Sequence, residues 1–197
     1  MNQKQMLKKS IEKAFKGGWD KEQDWFPDRQ FTILKITEEN ENYNIFKYAL
    51  NYVNTFLAQE IVKDGEGAKK FITVHVKGAT SKKDAKVLSK SIITSNLVKT
   101  AFFGEDANWG RILAAMGYSG AYFDPSKVSI NFKNGFSSIN LMEDGTPVKF
   151  DEDLAKKILK KTNITVEVLL KEGVGEAIAW GCDLSYEYVR INGDYRT

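Results

Sequence analysis

The chain is poor in the two residue types that most often build metal and redox centres. Its 197 residues include one cysteine, Cys182, and one histidine, His75. A single cysteine excludes an internal disulfide framework and is compatible with a reducing compartment. One of each leaves too few ligands for a zinc site and disfavours Cys–His catalysis. We expect Cys182 to be buried beside Trp180, and His75 to be an exposed or hydrogen-bonded residue in the middle of a strand.

Long apolar runs, blocks of one charge and phosphate-binding glycine motifs are also missing. No stretch approaches a membrane span, and the first nine residues lack the apolar core of a signal peptide. The net charge of +3 comes from 29 basic and 26 acidic residues that are interspersed, which disfavours nucleic-acid binding. No glycine-rich loop opens a helix after a strand. We therefore expect a cytoplasmic protein with no membrane or nucleic-acid partner, no metal and no cofactor.

Hydrophobic periodicity predicts alternating helices and strands. Helical spacing occurs over 7–15, 43–62, 85–95, 112–116, 151–161 and 185–191, with Asn108, Asp151 and Ser185 as N-caps. Strands are expected over 30–36, 71–76, 128–132, 138–142, 164–169 and 177–183. A glycine turn at 172–175 predicts that the last two strands form a hairpin. The irregular order indicates α/β or α+β layers and not a Rossmann repeat.

Three polar segments are candidates for a site. In Gly65-Glu66-Gly67, flexible backbone on both sides of a carboxylate allows close approach of a ligand, although a helix stop with a solvated glutamate explains it equally well. Residues 104–111 gather acids, an amide, an indole and a guanidinium at a helix start, where a capped, salt-bridged turn is the plain alternative. Residues 192–197 place many hydrogen-bond donors and acceptors at the C-terminus. Because most domains fray there, such a polar terminus suggests a site.

Four segments resemble, in the same order along the chain, the glutamate N-acetyltransferase (ornithine acetyltransferase) family. They are residues 64–71, 99–112, 117–121 and 179–197. They contain Asp64-Gly65-Glu66-Gly67-Ala68, Phe102-Phe103-Gly104-Glu105-Asp106, Gly117-Tyr118-Ser119-Gly120 and Trp180-Gly181-Cys182-Asp183. The resemblance is strong from about Ile61 to Thr197 and weak over the first 60 residues.

This resemblance implies a reaction and a division of labour between chains. Members of the family cleave themselves before a threonine, giving an α chain and a β chain whose new N-terminal threonine is the nucleophile. The present chain is similar to the β part. The threonine hydroxyl takes acetyl from N-acetylornithine and passes it to glutamate, regenerating N-acetylglutamate for arginine synthesis. An N-terminal amine can serve as the base of its own threonine, so the chemistry needs no histidine.

Three substrate-binding residues follow from the same resemblance. Glu66 matches the family's substrate-binding carboxylate, and Asn192 and Thr197 match its two C-terminal substrate contacts. A carboxylate suits the cationic amino group of ornithine, and an amide with a hydroxyl suits the polar ends of the substrate. The other family contacts, including the threonines that stabilise the oxyanion, lie in the α chain, so we expect no catalytic residue in this chain.

The beginning of the sequence departs from the family pattern. The family's β chain starts with Thr-Met-Leu and a short strand, whereas here a helix is predicted almost from Met1 and no threonine occurs in the first 31 residues. The family's Ser-Thr-Asn-Asp-Thr segment corresponds to Trp25-Phe26-Pro27-Asp28-Arg29, which keeps only Asp28. The chain can be incomplete at its start, can be a β-like subunit working with a separate α-like partner, or can be a relative without acetyl transfer. The altered segment at 25–29 favours a divergent relative.

The expected architecture is α/β, a layered helix–sheet sandwich of the ornithine acetyltransferase type. It comprises an incomplete N-terminal β-chain portion over 1–70 and a smaller C-terminal α/β portion over 71–197. We expect an α-like partner chain that covers an unpaired sheet edge, and self-association up to a heterotetramer. The predicted ligands are N-acetylornithine, ornithine or glutamate. A non-catalytic ligand-binding or interaction subunit is the alternative function.

Overall fold

The computed structural model describes residues 38–194, which contain six α-helices, six strands and one short 3₁₀ turn. The helices are α1 (Glu41–Lys63), α2 (Lys82–Thr94), α3 (Asn96–Phe103), α4 (Trp109–Gly117), α5 (Glu152–Leu159) and α6 (Tyr186–Asp194). The strands are β1 (Phe71–Ala79), β2 (Ser129–Asn134), β3 (Ser137–Glu143), β4 (Thr146–Pro147), β5 (Asn163–Leu169) and β6 (Gly175–Cys182). None of the described helices is both long and apolar enough to cross a membrane.

The chain divides into two compact units, residues 1–57 and residues 58–197. The described part of the first unit is residues 38–57, which include most of α1. This helix agrees with the prediction for 43–62, but none of its residues is buried. The assignment of 1–70 and 71–197 to two family portions stays a prediction. The expected helix at 7–15 and the expected strand at 30–36 lie outside the described residues.

The second unit is built on one mixed sheet in the order β4-β3-β2-β5-β1-β6. β1 runs parallel to β5, and every other pair of neighbouring strands is antiparallel. Alternate residues of β1, Ile72, Val74 and Val76, are fully buried and belong to the same apolar cluster as Leu88 of α2 and Ile158 of α5. Helices therefore layer on one face of the sheet, which confirms the α/β helix–sheet architecture expected from the sequence.

The predicted hairpin between 164–169 and 177–183 is wrong. Both strands exist, but β1 lies between them, parallel to β5 and antiparallel to β6. After β5 the chain crosses the end of β1, where the backbone amides of Glu172 and Gly173 both donate to the carbonyl of Gly78. The crossing is so close that a Cβ on Gly78 would lie 1.8 Å from the carbonyl oxygen of Leu170. The glycines of this segment serve a strand crossing and not a two-strand turn.

The helix predicted over 85–95 is one of two successive helices. Ser95 takes an extended conformation (φ −68°, ψ 118°), which ends α2, and its side chain then caps α3. The sequence pattern did not predict α3, because its apolar residues continue the run of α2 without a glycine or proline between them. The predicted N-caps Asn108 and Asp151 are confirmed, since each accepts a backbone amide from the first turn of its helix.

The second face of the sheet carries a charged cluster around Glu167. This carboxylate, on β5, is about nine-tenths buried and accepts hydrogen bonds from Lys77, at 2.9 Å, and from Lys133. Burial by itself raises the pKa of Glu167, but the hydrogen bonds and charges of Lys133 and Lys77 outweigh it and hold the pKa below the ordinary value of 4.5. His75 lies opposite Glu167 in the register and pairs with Glu176 of β6. His75 is therefore a hydrogen-bonded strand residue, as expected.

The lowered pKa of Glu167 predicts a loss of stability in acid. A group whose pKa is lowered by folding stabilises the native state above its unfolded pKa, and this contribution disappears as the pH falls through the folded pKa. The free energy of unfolding, measured by urea denaturation between pH 7 and pH 3, should fall below about pH 4.5. The fall should be smaller in Glu167→Gln. An identical pH dependence in both proteins would contradict this role, and Glu152→Gln, on the exposed first turn of α5, is the control.

Candidate functional site

The turn that carries Glu66 joins α1 to β1. The amide of Gly65 donates to the carbonyl of Val62, and the amide of Ala68 donates to the carbonyl of Gly65 at 2.9 Å, so the chain reverses within one short loop. Glu66 lies at its exposed tip. Gly67 follows with φ +66°, in the left-handed region where glycine carries no penalty. The predicted turn at 65–68 is therefore confirmed.

Asp183 and Ser185 hold this turn against the segment that leads into α6. Oδ1 of Asp183 accepts the backbone amides of Lys69, at 2.8 Å, and Lys70, at 2.9 Å. The hydroxyl of Ser185 donates to the carbonyl of Gly67 at 2.7 Å and accepts the amide of Tyr188 at 3.3 Å. Ser185 therefore caps the last helix, as predicted, and also forms a hydrogen bond to the turn.

Glu66 and Asn192 meet across this junction. Nδ2 of Asn192 donates to Oε2 of Glu66 at 2.8 Å, although the two residues are 126 positions apart in the sequence. The same nitrogen donates to the carbonyl of Tyr188, one helical turn earlier, at 2.9 Å. Both side chains are exposed. The structure thus brings together two of the three site residues predicted from the sequence, and the third, Thr197, lies outside the described residues.

Aromatic and charged side chains lie on α6, at the end of α3 and just after the turn. Phe103 at the end of α3 meets Tyr186 of α6 edge to face, with ring centroids 5.2 Å apart, and the ammonium of Lys69 lies 5.5 Å from the centroid of Phe103. On α6, Arg190 donates to Glu187, and this hydrogen bond, followed by the charge of Arg190, holds the pKa of Glu187 below its ordinary value. Glu187 therefore stays ionised at neutral pH.

The contacts of residues 104–111 agree with a capped turn. The side chain of Asn108 accepts the amide of Arg111 and donates to Asp106. The guanidinium of Arg111 donates to the carbonyl of Leu97, which connects α4 to α3. Glu105 lies 3.6 Å from the ammonium of Lys70, a buried lysine that also donates to the carbonyl of Leu159. Through Glu105, this segment therefore contacts Lys70, which lies just after the turn.

Cys182 is only half-buried, whereas its neighbours in the sequence led us to expect burial. It is the last residue of β6, where its partner in the register is Phe71, the first residue of β1. At this end of the sheet the ladder stops and the turn begins, so the side chain keeps some contact with solvent. Among residues 38–194, no group of three or more histidine, cysteine, aspartate or glutamate side chains could hold a metal ion.

Sequence reasoning missed the structural roles of Asp183 and Ser185 in this site. It placed Asp183 in a strand and Ser185 only at a helix cap. The available signal was the short string Asp183-Leu184-Ser185, two residues suited to accept backbone amides immediately after a predicted strand. Their partners lie more than 110 residues earlier, at Lys69, Lys70 and Gly67, and local pattern does not reveal such partners.

The chemistry available at the junction is polar recognition. Glu66 offers a carboxylate to a cationic or hydrogen-bond-donating ligand group. Asn192 offers an amide that can donate and accept. Between them they can bind and orient a small molecule with an amino group. No hydroxyl or thiol nucleophile with an adjacent base has been identified at this pair, within residues 38–194.

Comparisons with known proteins agree on one family. The model of the ArgJ family matches residues 27–197. The arginine biosynthesis bifunctional protein ArgJ 1 of Clostridium acetobutylicum is 56% identical over 162 residues, which are 82% of this chain and 40% of that protein. The arginine biosynthesis bifunctional protein ArgJ of Caldanaerobacter subterraneus is 54% identical over 162 residues, again 82% of this chain and 40% of that protein.

A solved structure supports the same relationship at the level of the fold. The crystal structure of the arginine biosynthesis bifunctional protein ArgJ from Bacillus halodurans superimposes with a TM-score of 0.74 at 40% sequence identity, covering 81% of this chain and 74% of that chain. The chain spans about two-fifths of the length of the curated relatives it matches. With the family model covering 27–197 and this structural agreement, the chain belongs to the ArgJ family.

Proposed function

We propose that this chain is the β-chain-like part of a glutamate N-acetyltransferase, which moves acetyl from N-acetylornithine to glutamate through a threonine–acyl intermediate. The observation that supports this most is the hydrogen bond between Glu66 and Asn192, because it joins two family segments from opposite ends of the second unit. The related proteins are named for arginine biosynthesis, which is the pathway this reaction serves. The proposed location is the cytoplasm.

In this proposal the chain binds and orients the amino-acid part of the substrate. Glu66 receives the cationic amino group of ornithine, where a charge-assisted hydrogen bond is about twice as strong as a neutral one. Asn192 holds Glu66 in place through one N–H and keeps its amide oxygen for the substrate. Thr197 is the proposed third contact, supplied by the segment that follows α6.

The attacking group comes from outside the described residues. A threonine hydroxyl attacks the acetyl carbonyl of N-acetylornithine, its own N-terminal amine accepts the proton, and ornithine leaves with that proton. The amine of glutamate then attacks the threonine ester and releases N-acetylglutamate. We propose that an α-like partner chain, together with the segment carrying this threonine, completes the site. The resulting assembly would be a heterotetramer.

Chain lengths support a two-chain assembly. The curated proteins and the crystallised chain each match about four-fifths of the present chain. The matched segment makes up 40% of the curated proteins but 74% of the crystallised chain. The crystallised chain is therefore roughly half as long as those proteins. This difference favours members that consist of two polypeptides, of which the present chain resembles one.

The surface of α1 supports a partner as well. Phe46, Leu50, Val53 and Leu57 recur at helical spacing on one side of the helix, and each is between 46% and 50% exposed. A stripe of this kind costs free energy in water unless another surface covers it. The α-like chain is the occupant that we propose for this stripe.

Acetyl transfer is the first test. The chain alone should form no N-acetylglutamate from N-acetylornithine and glutamate, because it carries binding groups without the attacking threonine. Addition of the α-like chain and the threonine-bearing segment should start the reaction, measured by mass spectrometry of the products. A folded complex that stays inactive would refute the enzyme and favour the alternative, a non-catalytic ligand-binding or interaction subunit.

Substitution of Glu66 is the second test. Glu66→Gln keeps the shape of the side chain but removes its charge, so binding of ornithine to the assembled protein should weaken by about 1.5–3 kcal/mol. Isothermal titration calorimetry measures the change. Glu152→Gln, on the exposed first turn of α5, is the matched control and should leave the affinity unchanged. Equal affinity in the Glu66 variant and the unmodified protein would exclude this role.

Substitution on α1 is the third test. Phe46→Glu together with Leu50→Glu places two charges in the apolar stripe and should weaken association with the α-like chain roughly tenfold or more. Sedimentation velocity of the mixed chains measures this effect. Asn51→Glu, on another side of the same helix, is the control. Undiminished association of the double variant would show that the stripe does not bind the partner.

A further inference from the structure

We infer that Asp183 and Ser185 are positioning residues that set the spacing between Glu66 and Asn192. The inference rests on the proposed role of Glu66 and Asn192 as substrate contacts. Within the described part of the chain, the side chains of Asp183 and Ser185 form hydrogen bonds only with backbone atoms of the turn and of α6. Their hydrogen bonds go to Lys69, Lys70, Gly67 and Tyr188, and none of these bonds goes to Glu66 or Asn192.

Asp183 continues the pairing of two strands by means of its side chain. Phe71 of β1 pairs with Cys182 of β6 in an antiparallel ladder, so Lys70 and Asp183 are the next residues in that register. At this point the backbone ladder stops, and Oδ1 of Asp183 takes the amides of Lys69 and Lys70 in its place. Asp183 is 3% exposed, and a buried carboxylate is costly unless it is hydrogen-bonded. The turn is therefore attached to β6 at one fixed point.

Ser185 fixes the same turn against α6. Its hydroxyl bonds to the carbonyl of Gly67, immediately after Glu66, and to the amide of Tyr188 in the first turn of the helix. Gly67 approaches α6 so closely that a Cβ there would lie 2.7 Å from the nitrogen of Tyr188. Backbone packing and a hydroxyl bond thus set the position of α6 relative to the turn.

These attachments determine the geometry of the pair that would meet the substrate. Nδ2 of Asn192 is shared between Glu66 on the turn and the carbonyl of Tyr188 on the helix. A shift of the turn relative to α6 would lengthen the first bond and leave the second intact. Asp183 and Ser185 prevent that shift, so their loss should change substrate affinity without direct contact to the substrate.

The test uses the full chain labelled with ¹⁵N and two substitutions at one position. Asp183→Ala removes the acceptor, so hydrogen exchange at the amides of Lys69 and Lys70 should accelerate about tenfold or more. The side-chain amide signal of Asn192 should shift, while exchange at Val74 in the centre of β1 stays unchanged. Asp183→Asn keeps an oxygen that can accept both amides and should restore most of the protection.

Ser185→Ala is the second variant and carries the test if Asp183→Ala does not fold. It should alter the amide signal of Tyr188 and the side-chain signal of Asn192 without changing exchange at Val74. Unchanged Lys69 and Lys70 amides in Asp183→Ala, or unchanged Asn192 in both variants, would overturn the positioning role. Equal acceleration at Val74 would also overturn it, because it would show general destabilisation.

A second readout separates this inference from the proposed function. In the assembled protein, Asp183→Ala should raise the KM for N-acetylornithine more than it lowers kcat, and Asp183→Asn should recover most of the loss. Perturbed Lys69, Lys70 and Asn192 signals with unchanged ornithine affinity would leave the positioning role intact and contradict the substrate role of Glu66 and Asn192. Unperturbed signals would refute the positioning role whatever the kinetics show.

Discussion

The pairing of β1 with β6 is the constraint on which the described structure depends. The antiparallel pairing keeps one register from Phe71 opposite Cys182 to Lys77 opposite Glu176, then shifts by one residue to place Ala79 opposite Gly175. At one end Asp183 lies beside the turn of Glu66 and captures its amides. At the other end the chain crosses closely over Gly78. Because a slip of one residue would turn every side chain to the opposite face, this register also decides which residues form the core.

The same pairing explains why Glu66 and Asn192 meet, although they lie in distant parts of the sequence. Glu66 precedes β1 and Asn192 follows β6, so the antiparallel arrangement returns the chain to the same end of the sheet. α6, capped at Ser185, then brings Asn192 to Glu66 about two helical turns later. The strand order thus brings Glu66 and Asn192 to the same end of the sheet. Asp183 and Ser185 then fix the position of the turn relative to α6.

Local features of the described fold could be predicted from the sequence. Caps such as Asn108 and Asp151 depend on contacts with the next three residues. In β1, apolar residues at alternate positions indicate which face of the strand is buried. The hairpin prediction failed because consecutive strands with a glycine turn look the same whether or not β1 lies between them. The Glu66–Asn192 pair was found through family resemblance, whereas Asp183 depends on a partner strand that local periodicity does not identify.

The proposed function gives the chain a binding role that is separate from attack on the acetyl group. The most direct test of this account is to titrate N-acetylornithine into the ¹⁵N-labelled chain assembled with the proposed α-like partner and to follow the side-chain amide of Asn192 by NMR. The account predicts saturable shifts at Asn192 and at the backbone amides of Glu66 and Gly67. Shifts confined to other regions, with Asn192 unaffected at saturation, would contradict it.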